Sequence, residues 1–172
     1  MFVGKVLKTK ALAEICEKEP LVKTVTESFQ HYWLYGFHPD IGRDLITYRP
    51  NPPEGHRHAH IIPINYPKAG DIGYSSGSEK SWSSWANALD YRFNIPQERI
   101  PTSDSALFYF VDTERTAYLF HFSTIGAHKF MNTSDFTDMV HKVELGIEKK
   151  GKTLMPWKDQ HNLFSECWVI RP

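Results

Sequence analysis

Four kinds of side chain in this sequence are placed to do chemistry: the alternate histidines His56, His58 and His60, the carboxylate Asp104, the pair His128-Lys129, and the guanidinium of Arg43. Imidazole exchanges protons near neutral pH, so a histidine near a carboxylate and an ammonium is a natural acid/base group. Asp104 stands just before Ala106 to Val111, and His128 just after Thr116 to Phe122. Both runs are aromatic and β-branched and of strand length, and the four polar residues Asp112 to Arg115 between them tolerate a turn. This pattern predicts a β-hairpin. The ends of an antiparallel pair meet, which would bring Asp104, His128 and Lys129 to one edge of a sheet.

The segment HRHAHIIPI, His56 to Ile64, predicts a strand that Pro63 ends. Alternate residues of a strand share a face, so His56, His58 and His60 would stand about 6.5–7 Å apart on one side. An HxH pair on a strand can ligate a metal, although no cysteine or closely following glutamate completes a set. The spacing alone leaves metal binding and solvent-facing histidines both open. Phe37 to Pro53 holds His38-Pro39-Asp40, Gly42-Arg43-Asp44 and three prolines, and reads as a structured loop. Arg43 there either bridges the two aspartates of a turn or faces a phosphate, whose geometry suits a guanidinium.

Elements of regular pattern surround these groups. Phe2 to Leu7 predicts a short opening strand, and Ala11 to Lys18 a helical turn or two, closed by Pro20. Leu21, Val22, Val25, Phe29, Tyr32 and Trp33 recur every three or four residues, as one stripe of an amphipathic helix that Gly36 ends. A second helix follows the hairpin, with Thr133 or Ser134 as cap, Phe136, Met139, Val140, Val143 and Ile147 as the buried stripe, and Gly151 as the stop. Positions 65–101 mix Ser, Gly and Pro with Trp82 and Trp85 and predict an elaboration carrying a short helix near Ser83 to Tyr91. The two tryptophans either dock it onto the core or stack bases. Leu154 to Pro172 forms a tail that would add a final strand. This order predicts an α+β fold, a sheet of about four strands with helices packed on one side.

A chain of 172 residues with 41% hydrophobic and 23% charged residues fits one globular domain with a real core. Twenty basic residues balance twenty acidic ones, which argues against holding nucleic acid by bulk charge and leaves local basic patches as the alternative. No apolar run approaches the roughly 20 residues needed to cross a bilayer, and Lys5, Lys8 and Lys10 break up the start of the chain, so a cytoplasmic location is expected. Cys16 and Cys167 are expected to be reduced thiols.

The sequence resembles the bacterial toxins of the RelE/ParE superfamily, and among them the YafO toxins, with a second likeness to YafQ. The YafO-like marks are FVGKVLKTK at the start, PDI and GRD at Pro39 to Asp44, AHI at Ala59 to Ile61, TSD at Thr102 to Asp104, and the HK pairs His128-Lys129 and His141-Lys142. The YafQ-like marks are His38-Pro39, the RxAH pattern at Arg57 to His60, Asp104 ahead of a strand, and Gly126 to His128. They share their order through residues 1–150. Positions 65–101 are longer than such toxins need, the residues after 151 are extra, and the neutral charge departs from the basic members.

The resemblance implies a single RelE-like domain over 1–172, with an insertion at about 65–101 and an extension at about 152–172. It implies a ribosome-associated mRNA endonuclease held in check by a cognate antitoxin, working without metal or other cofactor. His60, Asp104 and His128 would then form the catalytic set, with His60 or Asp104 as base and His128 as acid. Arg43, Lys129 and, more weakly, His38 would face the RNA phosphate. Two other readings stand beside it: a metal-binding protein built on His56, His58 and His60, and a non-catalytic interaction module.

Overall fold

A computed structural model describes residues 1–47, 53–88 and 99–170. Its frame is a five-stranded sheet in the order β1-β5-β4-β3-β2, formed by β1 (Val6–Lys8), β2 (Ile41–Ile46), β3 (His56–Ile61), β4 (Ala106–Val111) and β5 (Ala117–Ser123). The fold is α+β, as expected. The sheet has five strands instead of about four, and it is mixed: β1 runs parallel to β5 at one edge, while every other pair is antiparallel. The extra strand is β2, in the segment expected to be a loop. Ile41 pairs with Ile61 and Ile46 with Arg57, across a register shift between Ile41 and Asp44 that hides the strand's alternation.

The hairpin forms where the aromatic runs predict it. Asp112 shapes its turn by accepting the amides of Glu114 and Thr116 and the Tyr118 hydroxyl, and Arg115 closes it at φ 59°. Arg115 is fully buried and donates to the carbonyls of Val3, Trp33 and Leu163 while lying 4.3 Å over the Trp33 ring. One turn residue thereby ties together the start of the chain, the first helical layer and the tail.

Helices cover both faces of the sheet, which corrects the expectation of one side. On one face lie α1 (Lys10–Lys18), capped by the Thr9 hydroxyl, and α2 (Pro20–Tyr35), opened by Pro20 and closed by Gly36 at φ 76°. Leu12, Phe29 and Trp33 pack there on Leu107, Tyr109 and Leu119. On the other face α6 (Ser134–Glu148), capped by the Thr133 hydroxyl, sets Phe136, Val140 and Ile147 on Phe108, Phe110 and Phe120. The physical reason is visible in β4, where every residue of ALFYFV is buried: a strand apolar on both sides needs two covers.

Within the insertion, α3 (Tyr74–Gly77) and α4 (Glu79–Ala86) precede residues 89–98; the part of the expected short helix that falls on Leu89 to Tyr91 lies outside the described residues. Trp82 and Trp85 are buried with Phe37, and the Trp85 indole donates to the Ile41 carbonyl at 2.7 Å. They dock the insertion onto β2 and are closed to base stacking. The tail adds 3₁₀ turns at Trp157–Asn162 and Glu166–Trp168 and two isolated bridges, Asp112 with Leu154 and Phe2 with Val169, in place of a final strand. No helix among the described residues is long and apolar enough to cross a membrane.

Candidate functional site

β3 carries His56, His58 and His60 on the face that α6 covers, opposite Phe110, Phe108 and Ala106 of β4. The three share a face, as their spacing requires, and their surroundings differ because α6 does not cover the face evenly. His56 lies among the rings of Phe110, Phe120 and Phe136, at 5.1–5.8 Å. It belongs to the core, and the metal group of His56, His58 and His60, the alternative reading of the sequence, does not assemble among the described residues. His58 and His60 face instead the one-turn helix α5 (Ala127–Phe130).

Asp104 sets the position of that helix. Its main-chain carbonyl accepts the Ala127 amide, and its carboxylate accepts the amides of Gly126 and His128 at 2.9 and 3.1 Å. Gly126 is at φ 72°, the left-handed conformation the turn needs here. The same carboxylate lies 2.9 Å from Nδ1 of His128. Burial pushes the Asp104 carboxyl up, but the hydrogen bonds from His128 and Gly126 outweigh it and hold the group below its ordinary value. An ionised carboxylate only accepts, so Nδ1 of His128 carries the proton.

The rings of His60 and His128 are 5.5 Å apart, those of His58 and His60 5.2 Å, and those of His58 and His128 6.5 Å. One possible ligand atom from each falls within 4.8 Å of the other two. Nδ1 of His60 is 2.7 Å from the Ser103 carbonyl and 3.2 Å from the Ser103 amide nitrogen; the shorter contact is to an oxygen that accepts and cannot donate, so this Nδ1 also carries a proton. Burial drives the His60 imidazole down to about 4, against the opposing pull of that carbonyl; the charges of His128 and Arg43 add to the lowering. His58 is held well below its usual value by burial first and then by the neighbouring histidines. Both rings are neutral at neutral pH. Nδ1 of His58 meets the Thr47 hydroxyl at 2.9 Å.

A cleft of about 790 Å³ opens beside this group, walled by Ser103, Asp104, His128 and Lys129 on one side and by Tyr66, Ile72 and Gly73 of the insertion on the other. His128 and Asp104 are half-exposed to it, and His60, 2% exposed, lies one ring further in.

Of the residues singled out in the sequence, His60, Asp104, His128 and Lys129 come together. Arg43 joins them electrostatically: its charge acts on His60, its Nη2 donates to the Ile100 carbonyl, and its Nε is buried without a hydrogen-bond partner among the described residues. It does not bridge Asp40 and Asp44. Asp44 is on the opposite face, where it accepts from Arg57, Tyr32 and Tyr109 in a buried structural network. His38 contacts His31 and Asp40, and no contact joins it to the group. Sequence reasoning missed His58 as a neighbour of His128, and Ser103 and Thr47 as the groups that orient the rings. Alternation on β3 pointed to His58; nothing local pointed to Thr47, which is brought in by β2. Comparison with protein-family models, with curated proteins and with solved structures finds no match to this chain.

Proposed function

We propose that this protein is an endoribonuclease of the RelE-like toxin type, cutting mRNA at the ribosome under the control of a cognate antitoxin. One observation carries the reading: Asp104 and His128 form part of the wall of one cleft, and the His60 ring, remote from both along the chain, lies buried 5.5 Å from that of His128. The order of the YafO-like and YafQ-like motifs supports the assignment to that toxin type.

The chemistry follows from the proton positions. His60 is neutral with Nδ1 protonated, so its Nε2 lone pair is free to take the proton of an RNA 2′-hydroxyl. The 2′-oxygen attacks the adjacent phosphorus, the bond from phosphorus to the 5′-oxygen breaks, and Nε2 of His128 returns a proton to that leaving oxygen. The products are a 2′,3′-cyclic phosphate and a 5′-hydroxyl. Asp104 is spent on positioning His128 and the α5 turn, which makes His60 the base of choice. Lys129 on the cleft wall and Arg43, whose charge acts on His60, would balance the charge of the phosphorane.

The test is RNA cleavage by purified, chelator-treated protein, alone and in a translation reaction. His128→Ala is expected to slow cleavage by about 10²–10⁴-fold, the usual contribution of a positioned acid or base. His60→Gln should fall in the same range, with circular dichroism confirming the fold. Wild type that neither cuts RNA nor slows translation, or a His128→Ala protein as active as wild type, would sink the reading.

A further inference from the structure

The three imidazoles of His58, His60 and His128 share a property that RNA cleavage does not require. Each ring has its Nδ1 engaged by an oxygen: the Thr47 hydroxyl for His58, the Ser103 carbonyl for His60, the Asp104 carboxylate for His128, at 2.7–2.9 Å. Each is thereby left to present Nε2. Metal-bound histidines are held in this way, the far nitrogen donating to a carboxylate, carbonyl or water that aims the ring, and the Thr47 hydroxyl can accept from His58 in the same sense. One ring nitrogen from each histidine lies within 4.8 Å of the other two, on two strand positions of β3 and one turn of α5.

We propose that His58, His60 and His128 form a binding site for a divalent first-row transition ion of zinc-like character. Three imidazole nitrogens suit an ion of intermediate softness such as zinc, cobalt or nickel, and disfavour magnesium or calcium, which take oxygen. Tetrahedral bonds of about 2.0–2.1 Å place ligand nitrogens about 3.3 Å apart, so nitrogens up to 4.8 Å apart must draw together by up to about 1.5 Å. His128 is the ring free to do so: it is half-exposed and sits on a helix of four residues, whereas His58 and His60 are buried on a central strand. It also borders the cleft, which provides the ion's way in.

The consequence for activity rests on the endoribonuclease reading. An ion on Nε2 of His60 and His128 occupies the lone pair of the base and displaces the proton of the acid. Metal occupancy and RNA cleavage therefore exclude each other, and the ion acts as an inhibitor of the same site.

Two measurements keep the ion site and the nuclease reading apart. In the first, the metal-free full chain is titrated with Zn²⁺ against a chromophoric chelator and with Co²⁺ by absorption spectroscopy. One equivalent is expected, with intense visible cobalt bands of tetrahedral type. His128→Ala, a surface change, and His58→Gln, which keeps the buried volume, should each weaken binding at least about tenfold. Absence of stoichiometric binding, or equal binding by both variants and wild type, overturns the site. In the second, RNA cleavage is followed at increasing Zn²⁺, each protein against its own metal-free rate. Inhibition of wild type should track the measured zinc affinity and be reversed by chelator, and His58→Gln should require at least about tenfold more zinc. Cleavage unaffected at saturating zinc overturns the inhibitory role. Cleavage that appears only with zinc overturns both that role and metal-free catalysis, and leaves the site standing on the first measurement.

Discussion

At the scale of single residues, proton bookkeeping decides what the cluster can do. His60 titrates near 4 in the folded chain against 6.5 for a free imidazole, because burial penalises its charged form. Between those values the unfolded chain binds a proton the folded one refuses. In metal-free protein the stability is therefore complete above about pH 6.5 and falls as the pH drops toward 4, by up to about 3 kcal/mol. Urea denaturation across that range should show the slope, and His60→Gln should reduce it, leaving the part carried by His58, which burial also holds low; an equal slope in the variant would mean that other groups carry all of it. Asp104 makes a different prediction. On the endoribonuclease reading, Asp104→Asn replaces an acceptor-only carboxylate by an amide that can donate to Nδ1 and release the His128 tautomer, so kcat for RNA cleavage should fall by about 10²-fold or more, with KM much less affected. A loss confined to KM would assign Asp104 to RNA binding instead.

Element-scale effects come from what each strand and helix must cover. α6 holds the apolar half of its sheet face through Phe136, which meets the rings of Phe108, Phe120 and Phe130 at 4.8–6.2 Å. Phe136→Ala should cost about 3–5 kcal/mol in chemical denaturation. Arg115 joins elements instead of covering one. Arg115→Met leaves carbonyls of Val3, Trp33 and Leu163 without their donor, and should cost about 3 kcal/mol or more, read in the same experiment. A loss below about 1 kcal/mol would show that water replaces the guanidinium. The hairpin, α2 and α6 were legible because their apolar residues repeat with a clear period. β2 was not. Its register shift breaks alternation, Gly42 and Pro39 resemble turn residues, and Gly42 sits where it does because a Cβ would lie 2.3 Å from the Pro101 carbonyl, a contact made far along the chain.

For the whole molecule, the balance of twenty basic and twenty acidic residues supplies no bulk attraction for RNA, so on the endoribonuclease reading the attraction comes from local groups. With Arg43 and Lys129 as the phosphate contacts, the logarithm of the single-stranded RNA affinity should fall with the logarithm of salt at a slope of about −1.4. Fluorescence anisotropy of cleavage-blocked His128→Ala checks this; a slope several times steeper would place RNA on a wider basic surface. The sequence by itself determined the α+β class, the hairpin that brings Asp104 to His128, and the common face of the β3 histidines, because each depends on local periodicity or on neighbours along one hairpin. Only the tertiary structure decided that helices cover both faces, that α6 draws His56 into the core, and that His58 and His60 lie beside α5. Those outcomes depend on which element packs against each half of a face, and packing partners distant along the chain leave no mark in the spacing of nearby residues.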